Sequence, residues 1–199
     1  NSRCRVAWSP VFAEKFAGVP LKNVALTYRG QRVRGEMMIA RDGIEGGAIY
    51  ALSPLLRDHP GEPLLIDLRP DLSQEAVQRK LERPRGKDSL STYLRKALGL
   101  SPVAIGLLRE TATAPDAAGI KAVALKLGPP ASLARAISSA GGVARGELDS
   151  HFQLVKAPGT YCVGEMLDWE APTGGYLLQA CFSTAVMAAR HLATALESR

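Results

Sequence analysis

Three cysteines in 199 residues, Cys4, Cys162 and Cys181, form an odd set without paired spacing, which argues against a disulfide framework or a zinc site. Reduced thiols fit a cytoplasmic protein, and because Cys162 and Cys181 lie in apolar runs, both are expected to be buried and inert. No stretch reaches the roughly 18 to 20 apolar residues of a membrane span, since even the Ala-rich final segment carries Gln179, Ser183, Thr184, Arg190 and His191. No signal peptide is recognisable, and no G-x-G-x-x-G stands between a strand and a helix. Internal repeats and low-complexity tracts are also missing.

What remains is an ordinary globular composition, 46% hydrophobic and 22% charged, in a chain long enough to bury a real core. The formal net charge of +6 suits an anionic ligand such as a dinucleotide. Basic residues are spread along the chain, which makes nucleic acid the weaker inference.

Hydrophobic patterning predicts the order of elements. "WSPVFAEKFAGVPLKNVALTYRG" reads as a short helix ending at Gly18 and a strand from Val24 to Tyr28. Arg29-Gly30 then turns a hairpin into "QRVRGEMMIA". "DGIEGGAIYALSPLLRDHPGEP" reads as one apolar helix of roughly three turns stopped by Pro60-Gly61, and Leu64 to Leu68 as a buried strand. At Ser73, a helix N-cap, the pattern becomes helical and stays so to about Glu110, with "RPRGKD" as a basic break. "TATAPDAAGIK" has the composition of a linker, and "AVALKLG" returns to strand. Short β-like runs follow, among them Tyr161 to Val163, before a long helix that is small or apolar nearly all round.

The expected fold class is therefore α+β. Residues 1–135 form one domain, barrel-like over 1–70 and 118–135 with a helical subdomain at 71–112, and residues 136–199 form a second.

Glycines mark the second domain. Gly174-Gly175 opens the last helix, either as a tight turn or as a site where unpaired helix amides meet a negative or polar group. His59, His151 and His191 stand isolated, with no carboxylate or cysteine at ligand spacing, so no catalytic residue is assigned and no metal is expected. Ser183-Thr184 lacks a nucleophile-elbow context. The basic run "RKLERPRGK" is a solvated face, or a docking surface for another domain or an anionic partner.

Taken in order, "ISSAGGV", "YCVGEMLD" and "PTGGYLLQACFSTAVMAA" resemble the C-terminal segment of a bacterial family of FAD-dependent, NAD(P)-linked flavoproteins, aminoacetone-oxidase-like proteins with two dinucleotide-binding domains. "GVPLKNVALT" and "GEMMIARDGIEGGAIYALS" similarly resemble the start of that family's insert domain. The resemblance implies that 136–199 is the C-terminal part of a Rossmann-like FAD-binding domain and that 1–135 is the insert. It implies cofactor contacts at Ala140, Gly141 and Gly142, at Gly164, Glu165 and Asp168, and at Thr173, Gly174, Gly175 and Tyr176. Glu165 would accept from cofactor hydroxyls, and the amides at Gly174, Gly175 and Tyr176 would face the pyrimidine edge of the isoalloxazine. Leu177 replaces the family's Asn, which removes a side-chain donor.

On this reading the chain, which does not begin with Met, is a fragment whose partner is a missing N-terminal half carrying the pyrophosphate loop. Alone it would be inactive, would lose FAD on purification and would be prone to self-association through the uncovered final segment. NAD(P)H would serve the parent protein. The alternative is a non-enzymatic module that binds protein or nucleic acid. No membrane partner is expected.

Overall fold

In the computed structural model, residues 3–136, 138–172 and 174–197 are described. The chain divides into two compact units, Ser2–Ala134 and Arg135–Arg199.

The first unit is built on a six-stranded, wholly antiparallel sheet in the order β1-β4-β3-β2-β5-β6. Its strands are β1 (Cys4–Arg5), β2 (Pro20–Tyr28), β3 (Gln31–Ala40), β4 (Gly43–Glu45), β5 (Leu64–Asp67) and β6 (Val123–Leu125). The hairpin predicted at Arg29-Gly30 joins β2 to β3 with Tyr28 opposite Gln31. Both turn residues have positive φ, 47° and 82°, which matches the strands' right-handed twist. A register shift between Leu21 and Val24 bends β2, with Asn23 at φ 51°. Past β6 the chain hydrogen-bonds to β1, Gly128 N donating to Arg5 O and Ala131 N to Arg3 O, both at 2.8 Å. The sheet is thereby curled into a half-barrel around Leu21, Leu26, Met37, Ile39, Ile44 and Ile66.

Eight α-helices occur among the described residues. In the first unit α1 (Pro10–Phe16) starts at Ser9, whose side chain accepts from Phe12 N. The single apolar helix expected before Pro60-Gly61 is two, α2 (Gly47–Ala51) and α3 (Ser53–Asp58). Pro54 lies in the first turn of α3; without an N–H, and with a ring that clashes one turn back, it cannot continue α2.

The helical run begins at Ser73 as expected. It comprises α4 (Gln74–Leu81), α5 (Leu90–Leu98) and α6 (Pro102–Glu110), and each follows a serine, Ser73, Ser89 or Ser101, that accepts from the amide three residues on. Gly99 ends α5 in the left-handed conformation. The segment read as a linker carries α7 (Ala117–Lys121), because Asp116 caps Gly119 N at 2.8 Å.

One buried carboxylate ties sheet to helices. Asp67, 2% exposed, accepts from Arg32 on β3 at 2.7 Å, from Lys121 on α7 at 2.8 Å and from Arg69 N at 3.0 Å.

The second unit has one long helix, α8 (Tyr176–Glu197), preceded by 3-10 turns and isolated bridges. Here the strand expected at Tyr161 to Val163 is replaced. Tyr161 makes one antiparallel bridge to Gln153, because the turn at Pro158-Gly159 folds the chain back and Leu154 N donates to Thr160 O at 2.8 Å. A strand needs continuous partners, and local pairing supplies one residue's worth. No described helix is long and apolar enough to cross a membrane.

Candidate functional site

Two of the glycine-bearing segments singled out in the sequence meet inside the second unit. Val143 bridges Leu167 in parallel, with Val143 N donating to Met166 O at 2.8 Å and Asp168 N to Val143 O at 2.9 Å. That approach requires Gly142. Its φ is 149°, and a Cβ there would stand 2.4 Å from Met166 O. Ala140 and Gly141 lead into this contact as exposed backbone, Gly141 with φ 92°. Glu165 reinforces it by accepting from Ser139 N at 2.9 Å. One carboxylate oxygen is thus committed to holding the 139–142 turn, while the side chain itself is exposed.

Gly164 faces α8. Its N–H donates to Thr184 Oγ1 at 3.0 Å, and an added Cβ would meet Cys181 Sγ at 2.9 Å. With φ 65° it favours glycine twice over, by conformation and by space. Thr184 in turn donates to Ala180 O at 2.7 Å, so the helix presents its hydroxyl lone pair outward to the loop.

At the start of α8, Gly174 and Gly175 have φ 107° and 89°, and Gly175 O accepts from Gln179 N at 3.0 Å. A side chain at Gly175 would meet nothing within 4 Å, so the approach to the first-turn amides is open there. Tyr176 is 59% exposed beside them, and the Asp168 side chain is exposed. Thr173, the remaining expected contact, lies outside the described residues.

Two sequence expectations are corrected. Cys162 is buried, but Cys181 is half-exposed, because α8 presents that face to the small Gly164 loop. Two of the three histidines taken as isolated are brought together: His151 stacks on His191 with ring centroids 4.0 Å apart and planes at 6°. Tyr161 Oη lies 2.9 Å from His191 Nδ1, and Asp149 accepts from His151 N at 2.8 Å and Gln153 N at 2.9 Å. The hydrogen bond from Gln153, then that from His151 and the nearby imidazoles, hold the Asp149 carboxyl below the usual carboxylate range. Their forty-residue separation hid this pair; no local pattern signals it. Among the described residues no group of three or more metal-ligating side chains is assembled.

The outward face of α8 is apolar. Leu178, Phe182, Val186 and Leu196 are 47–60% exposed, and Ala188 alone among the helix's described residues is buried.

Comparison with known proteins places these observations. Over 200 aligned residues the chain is 26% identical to the "Ribosomal RNA dihydrouridine synthase" of Escherichia coli (strain K12), covering 92% of this chain and 48% of that protein. It therefore spans about half the length of that relative. Residues 2–125, the curled sheet with its helices, match the family described as "HI0933-like protein barrel and H2TH domain". The chain belongs to this HI0933-like family, whose members are FAD-binding, flavoprotein-related proteins.

Proposed function

We propose that the chain supplies the flavin-facing and substrate-side parts of an FAD-dependent oxidoreductase that acts on RNA. The observation that carries the flavin half is the meeting of Gly142 with Met166 to Asp168, which draws the expected contacts Gly141, Gly142, Glu165 and Asp168 into one cluster. The family supports the cofactor, and the name of the E. coli relative supports the substrate class.

The residues present fit one edge of a flavin. Open first-turn amides at Gly174, Gly175 and Tyr176 suit a polar ring edge that gains negative charge. Glu165 keeps one oxygen beyond its bond to Ser139 N, enough to accept from a cofactor hydroxyl. Leu177 has no donor to add, so recognition at that position falls to backbone. FAD, when bound, supplies the two-electron transfer between a reduced nicotinamide nucleotide and an unsaturated substrate such as a uracil ring.

In this reading residues 1–135 are an insert domain and 136–199 the returning part of a Rossmann-like FAD-binding domain, in a cytoplasmic protein. The pyrophosphate cradle comes from an N-terminal half outside these residues, which also covers Leu178, Phe182 and Val186 of α8. In its absence a second copy covers the same face.

The test uses the full-length product of the gene and the 199-residue chain side by side. Expected are stoichiometric flavin absorbance and NAD(P)H-dependent loss of uridine from RNA in the first, and a colourless preparation of the second. In the full-length protein, Gly175→Val lowers flavin occupancy, since a branched side chain is strained at positive φ and shields the amides. A colourless full-length protein, or one whose flavin is indifferent to Gly175→Val, would refute the flavin assignment.

A further inference from the structure

In the first unit α1, α5 and α6 enclose a hollow of about 350 Å³. Gly106 on its wall lets α6 come close against α1, where a Cβ would lie 2.4 Å from the Phe16 ring. Phe12 and Phe16 form its floor, and its rim carries Lys15 from α1, Arg95 from α5 and Arg109 from α6. Hydroxyls of Ser91 and Thr92 stand among them. Arg109 is held in place by donating to Ser91 Oγ at 2.6 Å. Glu110, the carboxylate of the lining, is taken up by Ser9, whose N and Oγ donate to it at 2.5 and 2.7 Å.

Cations on this unit divide into those held by a carboxylate and those that are not. Arg3, Arg29, Arg32, Arg34, Arg57 and Lys96 are each paired with a carboxylate. Among the described residues Lys15, Arg95 and Arg109 have none; Lys15 lies over the Phe16 ring and Arg109 has its serine. Even with the Glu110 carboxylate counted the lining keeps an excess of positive charge, which suits an anion with several acceptor oxygens.

The field also extends beyond the hollow. Residues 73–112 hold eight Lys and Arg against four Asp and Glu, and Arg79, Lys80, Arg83 and Lys87 are exposed along α4 and the turn after it. A single small anion would use the hollow and waste the rest. An extended polyanion uses both.

We infer that the hollow between α1, α5 and α6 is a phosphate seat for the RNA backbone, with Lys15, Arg95 and Arg109 as its ligands and Ser91 and Thr92 as supporting donors. The inference rests on the RNA-substrate reading above and adds where the strand is held. Contacts of this kind position a nucleic acid without reading its sequence.

The test measures binding of a fluorescein-labelled RNA hairpin to the full-length protein by anisotropy across a salt series. Combining Lys15→Gln, Arg95→Gln and Arg109→Gln should lower the slope of log affinity against log salt by about three and weaken binding about eightfold per contact near roughly 0.1 M salt. A charge-matched control, Lys22→Gln with Arg41→Gln and Lys126→Gln outside the hollow, should change the affinity far less. Circular dichroism and flavin content check that both variants fold. An unchanged slope in the hollow variant, beside a wild type that binds, overturns the seat and leaves the RNA-substrate reading standing. A wild type that binds poly-glutamate more tightly than RNA, or binds no RNA even at low salt, overturns both.

Discussion

Replacing Asp67 by alanine should cost the first unit about 3 kcal/mol. The carboxylate is 2% exposed and serves three donors, Arg32, Lys121 and the Arg69 amide. Breaking a buried pair typically costs about 3–5 kcal/mol, because the partner charge is left without compensation. Two features place this site at the low end. The Arg32 side chain is 49% exposed and rehydrates, and Lys121 still donates to Arg69 O at 2.9 Å and to Leu72 O. Lys121, with its side chain 16% exposed, carries most of the penalty. For a urea slope of about 2 kcal/mol/M the midpoint falls by about 1.5 M. Adding Lys121→Met to Asp67→Ala removes the stranded charge and should return part of the loss. Urea unfolding followed by circular dichroism decides it: a loss under about 1 kcal/mol, or a double variant weakened additively, would show that this clamp does not hold the helices to the sheet.

Three shorter predictions concern the second unit and the thiols. Gly142→Ala adds strain of about 1–3 kcal/mol and should speed hydrogen exchange at the Val143 and Asp168 amides by about tenfold or more; unchanged protection would refute the close approach. Because the Asp149 carboxyl is depressed in the folded state, its stabilisation is present above the unfolded value and is lost as pH falls through the folded one. As pH falls from roughly 4 through the depressed folded value the 149–153 turn should therefore loosen, seen as faster hydrogen exchange at the His151 and Gln153 amides than at amides away from the turn, and a uniform response would contradict it. Burial pushes the Cys4 thiol up to about 11, so at neutral pH iodoacetamide should modify the half-exposed Cys181 well before Cys4, and equal rates would refute the burial.

Much of the first unit was legible because its signals are local. Ser73, Arg29-Gly30 and Gly18 each act on amides within a few residues, so a cap or turn acts much the same wherever the element docks. The break at Pro54 was equally local but was outweighed by the apolar run on both sides. Asp116 was passed over inside a segment whose composition is that of a loop.

Glycines were legible as positions rather than as contacts. Left-handed backbone at Gly142, Gly164 and Gly175 explains why glycine stands there, but which strand or helix comes close is set by chain closure. Tyr161 to Val163 shows the limit: β-like residues became a single bridge because the nearest available partner was the returning segment at Gln153.

The sequence by itself determined most of the helices and strands of the first unit, the hairpin, the Ser73 cap and the glycine positions, all governed by backbone preferences that reach only a turn or two along the chain. Tertiary structure alone decided which distant residues meet. It stacked His151 on His191, buried Asp67 among Arg32 and Lys121, and gathered Lys15, Arg95 and Arg109 around one hollow. Those meetings depend on helix packing and sheet curvature, through which residues far apart in the chain share a few ångströms, and no periodicity in the sequence encodes that distance.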